Sequence, residues 1–284
     1  MNAWRIAGLA AGTSLAAAAA LGHASCRRGM KAAETAYRAL AAPAAAPEHR
    51  FDPKQVAHLP EIARRYFAHA VAPGTPLYTG AEVEMEGLFL LGDKARPQVY
   101  AMTARQVLSA SGAFVWIPEL RSGAMRIRGS DGLVGGEAWT RFWLQGLVPV
   151  ANVDSSPDTV RSARFRAAAE AALWIPTTLL PASGAEWSQT GPDRARVVIR
   201  RFEPAIALDL TLSADGAVRA FTGQRWSNAN RDSVFREQPF GGTVSGEGRF
   251  QGLTVPTRIS AGNHFGTPDY LPFFQARVTK ARYF

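Results

Sequence analysis

Few residues in this 284-residue chain have the type and spacing that chemistry requires. Of its five histidines, His23 falls in an apolar N-terminal stretch, leaving His49, His58, His69 and His264. His58 and His69 stand about three helical turns apart, too far to share one ion. No H-E-x-x-H, C-x-x-C or EF-hand loop occurs, so neither a metal nor a cofactor is expected. Gly246-Glu-Gly248-Arg-Phe-Gln-Gly252 is glycine-rich but lacks the G-x-G-x-x-G spacing that sets a phosphate on a helix N-terminus, and there is no Walker A sequence. In a strand, such glycines mark a bulge or a close backbone approach. The nucleophile motifs G-x-S-x-G and S-x-x-K are absent. Ser245, His264 and Asp269 form a trio on paper only. Two carboxylates flanking a glycosidic bond are the remaining catalytic option. Glu137, Glu247 and Asp131 are the acids to test, and all three equally suit turns or solvent-facing strand positions.

Aromatic residues are the more distinctive feature. Phe114, Trp116, Trp139, Phe142, Trp143, Trp174, Trp187, Trp226, Phe240 and Phe250 sit in or beside expected strands and a helix. Large aromatics dominate cores. Where some of them face a space between sheet and helices, they line an apolar cavity suited to a lipid or another hydrophobic ligand.

The elements that must position these residues follow from local pattern. Asp52-Pro53 reads as a helix start, the acid at the N-cap and Pro at the first helical position. Leu59, Ile62, Ala63, Tyr66 and Phe67 recur at helical spacing up to the stop at Pro73-Gly74. Glu82, Glu84 and Glu86 alternate with Val83 and Met85, the period of a half-buried strand. Further strands are expected over 98–108, 113–117, 124–128 and 139–148, with a turn at Ser130-Asp-Gly132. Ser156-Pro157-Asp158 caps a second helix running to about Leu173. A meander follows: Ile206, Leu208, Leu210 and Leu212 share one face, Ala214-Asp-Gly216 turns into 218–225, 243–250 pairs with 254–262 around Gln251-Gly252, and 273–283 closes the chain. Many strands with two or three helices and no βαβ alternation predict an α+β fold with an antiparallel, curved sheet.

The N-terminus has the layout of a targeting segment: a basic start at Arg5, an uncharged run over 6–20 rich in Ala, Leu and Gly, then small residues. Residues 1–26 are read as a signal peptide or membrane anchor, 27–50 as an Ala/Pro-rich linker and 51–284 as one domain. Three fates are open for the first segment: cleavage after Ala24, lipid attachment at Cys26 with His23 in place of the usual aliphatic residue, or retention as one span, for which an Ala-rich run has a weak drive. Arg27, Arg28 and Lys31 leave its orientation open. Cys26 is the sole cysteine, so no intrachain disulfide forms. The net charge is +9 and the isoelectric point about 10.3. The basic residues are scattered and almost all Arg, with no nucleic-acid-binding motif, so the partner expected is a membrane surface and not nucleic acid.

Several phrases carry a resemblance. Gly129-Ser-Asp-Gly-Leu-Val-Gly-Gly-Glu137, Trp143-Leu-Gln-Gly-Leu-Val-Pro-Val150, Ala171-Ala-Leu-Trp-Ile-Pro-Thr-Thr-Leu-Leu-Pro181 and Pro239-Phe-Gly-Gly242 resemble an uncharacterised bacterial domain-of-unknown-function family, over roughly 59–284. The resemblance brings no activity and no catalytic residue. Gly135-Gly-Glu-Ala138 departs from that family's pattern, which speaks against a strict acidic site. Arg249-Phe-Gln-Gly-Leu-Thr-Val-Pro-Thr-Arg258 is similar to the late hairpin of lipoprotein carriers of the LolA/LolB kind, which implies a half-barrel whose helices close a hydrophobic cavity. The reading reached is a cell-envelope protein, membrane-anchored or periplasmic, that binds a lipid, acyl chain or lipoprotein without catalysis. An envelope hydrolase acting on sugars or esters is the first alternative. A structural module docking another envelope protein is the second, and it predicts an exposed apolar patch.

Overall fold

The computed structural model describes residues 3–42, 47–92 and 94–284, with side chains from position 17 onward. A long helix, α1 (Ala3–Ala41), is followed by a short 3₁₀ turn, Pro53–Val56, and by α2 (Glu61–Ala70). Six strands come next: β1 (Gly80–Leu91), β2 (Gln98–Ser109), β3 (Phe114–Ser122), β4 (Met125–Val134), β5 (Glu137–Leu144) and β6 (Val148–Val153). Helix α3 (Pro157–Trp174) then leads through two further 3₁₀ turns to β7 (Ala185–Gln189), β8 (Arg194–Ile199), β9 (Ile206–Leu212) and β10 (Val218–Ser227). The chain ends with β11 (Arg236–Phe250), β12 (Leu253–Asn263) and β13 (Leu271–Tyr283).

The strands form a single antiparallel sheet in the order β6-β5-β4-β3-β2-β1-β13-β12-β11-β10-β9-β8-β7. The sheet is open, with β6 and β7 as its edges. Two meanders meet at the β1–β13 seam, where Ala81 faces Tyr283 and Phe89 faces Phe274. Helix α3 carries the chain from one edge to the other and packs on the inner face against β10, β4 and β5. An antiparallel meander needs only short turns, whereas joining the two edges needs a long connection. The helix supplies that connection and covers apolar surface along it. The expected α+β half-barrel is therefore the observed architecture.

Strand alternation sorts side chains between two faces. In β3, Phe114 and Trp116 join the main core under α2 and α3, while Val115 and Ile117 pack beneath α1 on the opposite face. Glu82, Glu84 and Glu86 of β1 point outward to Arg282, Lys280 and Arg277 of β13. Local caps form as read. Asp52 and Gln55 make a capping box, and Ser156 makes another with Thr159.

Four expectations need correction. The helix read from Asp52 onward is interrupted, because Pro60 disfavours helical backbone at Leu59 and α2 starts only at Glu61. Ser130-Asp-Gly132 is interior to β4; the β4–β5 turn is at Gly135 and Gly136, both at positive φ. The segment 139–148 is two strands, divided where Gln145 and Gly146 take positive φ. Strands β7 and β8 were not expected, since 185–199 mixes charges with few apolar residues.

The N-terminal segment also differs. Helix α1 runs through the boundary drawn at residue 26 and on to Ala41, longer than the short helix expected over 30–40; positions 43–46 of the Ala/Pro phrase lie outside the described residues. No helix among the described residues is long and apolar enough to cross a membrane, so a retained span over 6–20 finds no support. Alanine inserts weakly, and the charges at 27, 28 and 31 follow at once. From residue 21 on, α1 lies on the outer face of the sheet, with Cys26, Ala33 and Tyr37 buried. Arg105 of β2 holds it through an ion pair to Glu34 and by stacking on the Tyr37 ring, 4.6 Å away. Arg282 donates to the carbonyl of Ala41 at 3.1 Å, a cation at a helix C-terminus.

Two glycines let α1 approach the β5–β6 turn. A Cβ on Gly29 would stand 2.4 Å from the Trp143 ring, and one on Gly22 would stand 1.9 Å from the Leu147 carbonyl oxygen. In an open helix, replacing Gly favours the helix by about 1 kcal/mol. At Gly22 the contact is with backbone, so the clash decides the sign. Gly22→Leu is expected to lift this half of α1 and expose Cys26, whose thiol burial keeps above its ordinary pKa. Maleimide labelling of Cys26, slow in the wild type, then becomes fast. Equal labelling rates in the two proteins would disprove the close contact.

Candidate functional site

Between the inner face of the sheet and α3 lies a cavity of about 610 Å³. That volume falls within the roughly 300–1,000 Å³ of small-molecule sites. Tyr100, Trp116, Phe142 and Phe274 contribute to its walls, while Leu173 and Trp174 of α3 contribute from the helix side. Met125 and Val150 line it yet are 41% and 51% exposed, so the mouth lies where the β3–β4 turn meets the edge strand β6. Leu91 and Gln98, flanking the β1–β2 turn, line the same end. The antiparallel meander brings these turns to one rim.

The proposed aromatic residues divide by position. Trp116, Phe142, Trp174 and Phe240 line the cavity. Phe114 is fully buried beside it, beneath the Arg166 guanidinium at 4.7 Å. Trp139 and Trp143 lie on the other face, the first against Gly132 and the second against Gly29. Trp226 stacks under Arg161 at 4.1 Å and donates to Asp158, beside a smaller cleft of about 320 Å³. Phe250 packs against Gly248 near the β11–β12 turn. Trp187 belongs to the core beneath α2, 5.1 Å from the Tyr66 ring. Phe89, Tyr100, Phe221, Phe273 and Phe274 were missed, although the alternation within 98–108 and 273–283 carried the signal for Tyr100 and Phe274.

One polar cluster interrupts the apolar lining. Arg166, one turn before Glu170 on α3, donates from Nε to Glu170 Oε1 at 2.8 Å and pairs through Nη1 with Asp131 Oδ2 of β4. Thr140 donates to Asp131 Oδ1 at 3.0 Å, and Gln106 donates to Glu170 Oε2. Every carboxylate oxygen in the cluster thus has a donor. Burial alone would lower the Arg166 pKa, but Glu170 and Asp131 outweigh it and hold the guanidinium above its ordinary value.

Arg225 of β10 enters the same cavity. Its Nε donates to Ser162 Oγ at 3.1 Å and its guanidinium lies 5.3 Å from the Phe240 ring centroid. Among the described residues it forms no ion pair. Burial, with Arg166 close by, brings it down to about 10, so it is charged at neutral pH. The indole N–H of Trp116 is buried without a partner in the same lining.

Of the acids singled out for catalysis, only Asp131 reaches this cavity, and it is bound to Arg166. Glu137 is exposed where β5 begins, whereas Glu247 on β11 bonds to His69 at 2.9 Å. Six strands intervene between them in the sheet, so they do not converge. The His264 ring bonds to the carbonyl of Ala229, not to Ser245. Among the described residues no group of three or more metal-binding side chains occurs.

A model for a family of unknown function, DUF6544, matches residues 49–276. No curated protein matches. Among solved structures, a putative outer membrane lipoprotein-sorting protein domain from Vibrio parahaemolyticus is similar with a TM-score of 0.38 at 9% identity, covering 78% of this chain and 91% of that one. A LolA superfamily protein from Nitrosomonas europaea gives 0.35 at 8% identity, over 78% and 89% of the two chains. A β-barrel-like protein of the domain of unknown function DUF1849 from Brucella abortus gives 0.29 at 9% identity, over 74% and 99%.

Proposed function

Since this chain belongs to DUF6544, a family of unknown function, we propose that it binds a lipid or acyl chain in the cavity beneath α3, without covalent chemistry. The observation that carries this reading is a cavity of about 610 Å³ whose lining is aromatic and aliphatic except for the Arg166 cluster, Arg225 and Gln98. Burying apolar chain there gains about 0.8 kcal/mol per methylene. The exposed residues Met125 and Val150 give an apolar entrance. The basic start and uncharged run within 1–26 favour delivery to the cell envelope, where such ligands are abundant.

Native mass spectrometry and solvent extraction of the purified full chain test the proposal. A lipid is expected to co-purify with the wild type. Ala169 on α3 and Ala261 on β12 line the cavity from opposite sides. Ala169→Phe and Ala261→Phe should each lower lipid occupancy about tenfold while costing about 1–3 kcal/mol of stability. Undiminished lipid in both folded variants, or none in the wild type, would place the ligand elsewhere or remove it.

A further inference from the structure

Resting on the cavity reading above, we infer that the ligand is a single-chain amphiphile with an anionic, acceptor-rich head, carboxylate or phosphate, bound at Arg225. Asp131 and Glu170 have each oxygen occupied by Arg166, Thr140 or Gln106. No carboxylate oxygen of the cluster lacks a donor, and its one unpaired acceptor, Gln106 Oε1, is buried and does not line the cavity. Donors remain: the terminal nitrogens of Arg225, which form no ion pair among the described residues, and the buried Trp116 indole N–H, which has no partner. A cation without a salt bridge inside an apolar cavity is costly unless a ligand pairs with it. An alcohol or ester head accepts hydrogen bonds without bringing charge, whereas a carboxylate or phosphate forms the stronger, charge-assisted pair with a guanidinium. The apolar remainder of the lining takes the chain.

Isothermal titration of the full chain with dodecanoate, dodecyl phosphate and dodecanol, below their aggregation limits, tests this. The three share one chain, so the head alone varies. At least one anion is expected to bind roughly ten- to a hundredfold more tightly than the alcohol. Which anion is preferred separates a fatty acid from a phosphate-bearing lipid. Arg225→Met should reduce the anions to the affinity of the alcohol and leave the alcohol unchanged, and Arg225→Lys should keep part of the preference. Equal binding of all three probes to the wild type overturns the anionic head and leaves the cavity reading intact. Binding of none removes both. A preference that survives in Arg225→Met overturns the assignment to Arg225. If that variant fails to fold, the wild-type series and Arg225→Lys still decide.

Discussion

Arg166→Leu is expected to lower the unfolding free energy by about 3–5 kcal/mol, because removing one partner of a buried ion pair strands the other charge. Here two charges are stranded. Asp131 and Glu170 both lose a guanidinium donor and are left close together, with Arg225 as the nearby cation and no ion pair to it. Stacking is lost too, since Arg166 lies over the rings of Phe114 and Trp116 at 4.7 and 5.1 Å. Urea denaturation reads the effect as a lower midpoint at unchanged slope. Adding Asp131→Asn and Glu170→Gln to Arg166→Leu removes both stranded charges and should recover at least half of the loss. A single-variant cost below about 1 kcal/mol, the scale of an exposed pair, would show that the network is solvated. No recovery in the triple variant would assign the loss to packing.

Arg225→Met should move stability the other way, raising the unfolding free energy by about 1–2 kcal/mol. The folded protein holds the Arg225 pKa at about 10, below the ordinary value of an arginine. The sign follows from that order. A base with a lowered folded-state pKa is one whose charged form the fold disfavours, so the charge costs stability at every pH below about 10. That cost falls away as the pH rises from about 10 toward the unfolded value. The advantage of Arg225→Met is therefore largest near neutrality and shrinks above pH 10. Loss of the bond to Ser162 and of the contact with Phe240 offsets part of the gain. Thermal melts at pH 7 and pH 10.5 measure both points. A variant less stable than the wild type at pH 7 would mean that Arg225 is a structural residue. A more stable variant that loses the anion preference marks a residue kept for binding at the expense of stability.

The caps at Asp52 and Ser156 and the alternation in β1 and β9 were legible because each depends on residues within one turn or one strand. The alternation of Ile206, Leu208, Leu210 and Leu212 needs no partner to be recognised, and all but one of the proposed hairpins followed from turn residues next to such runs. The exception was Ser130-Asp-Gly132. Gly132 is there to admit the Trp139 ring, a cross-strand contact that imitates a turn signal. Strands β7 and β8 were illegible because their burial comes from α2 and from each other, not from a strongly apolar run.

The candidate site divides along the same line. Period-two spacing separates Phe142 from Trp139 and Trp143, but nothing in the sequence says that α1 takes one face and α3 the other. The arginines looked like evenly scattered surface charge. Arg166 meets Asp131 across 35 residues, and Arg225 meets Ser162 across 63. By itself the sequence determined the antiparallel α+β class, the caps at Asp52 and Ser156 and the supply of aromatic side chains, all consequences of short-range sterics and periodicity. Only the tertiary structure decided which aromatics surround a space and which arginine is left without a carboxylate. Both depend on how α3 crosses a curved sheet, and long-range packing of that kind leaves no local period to read.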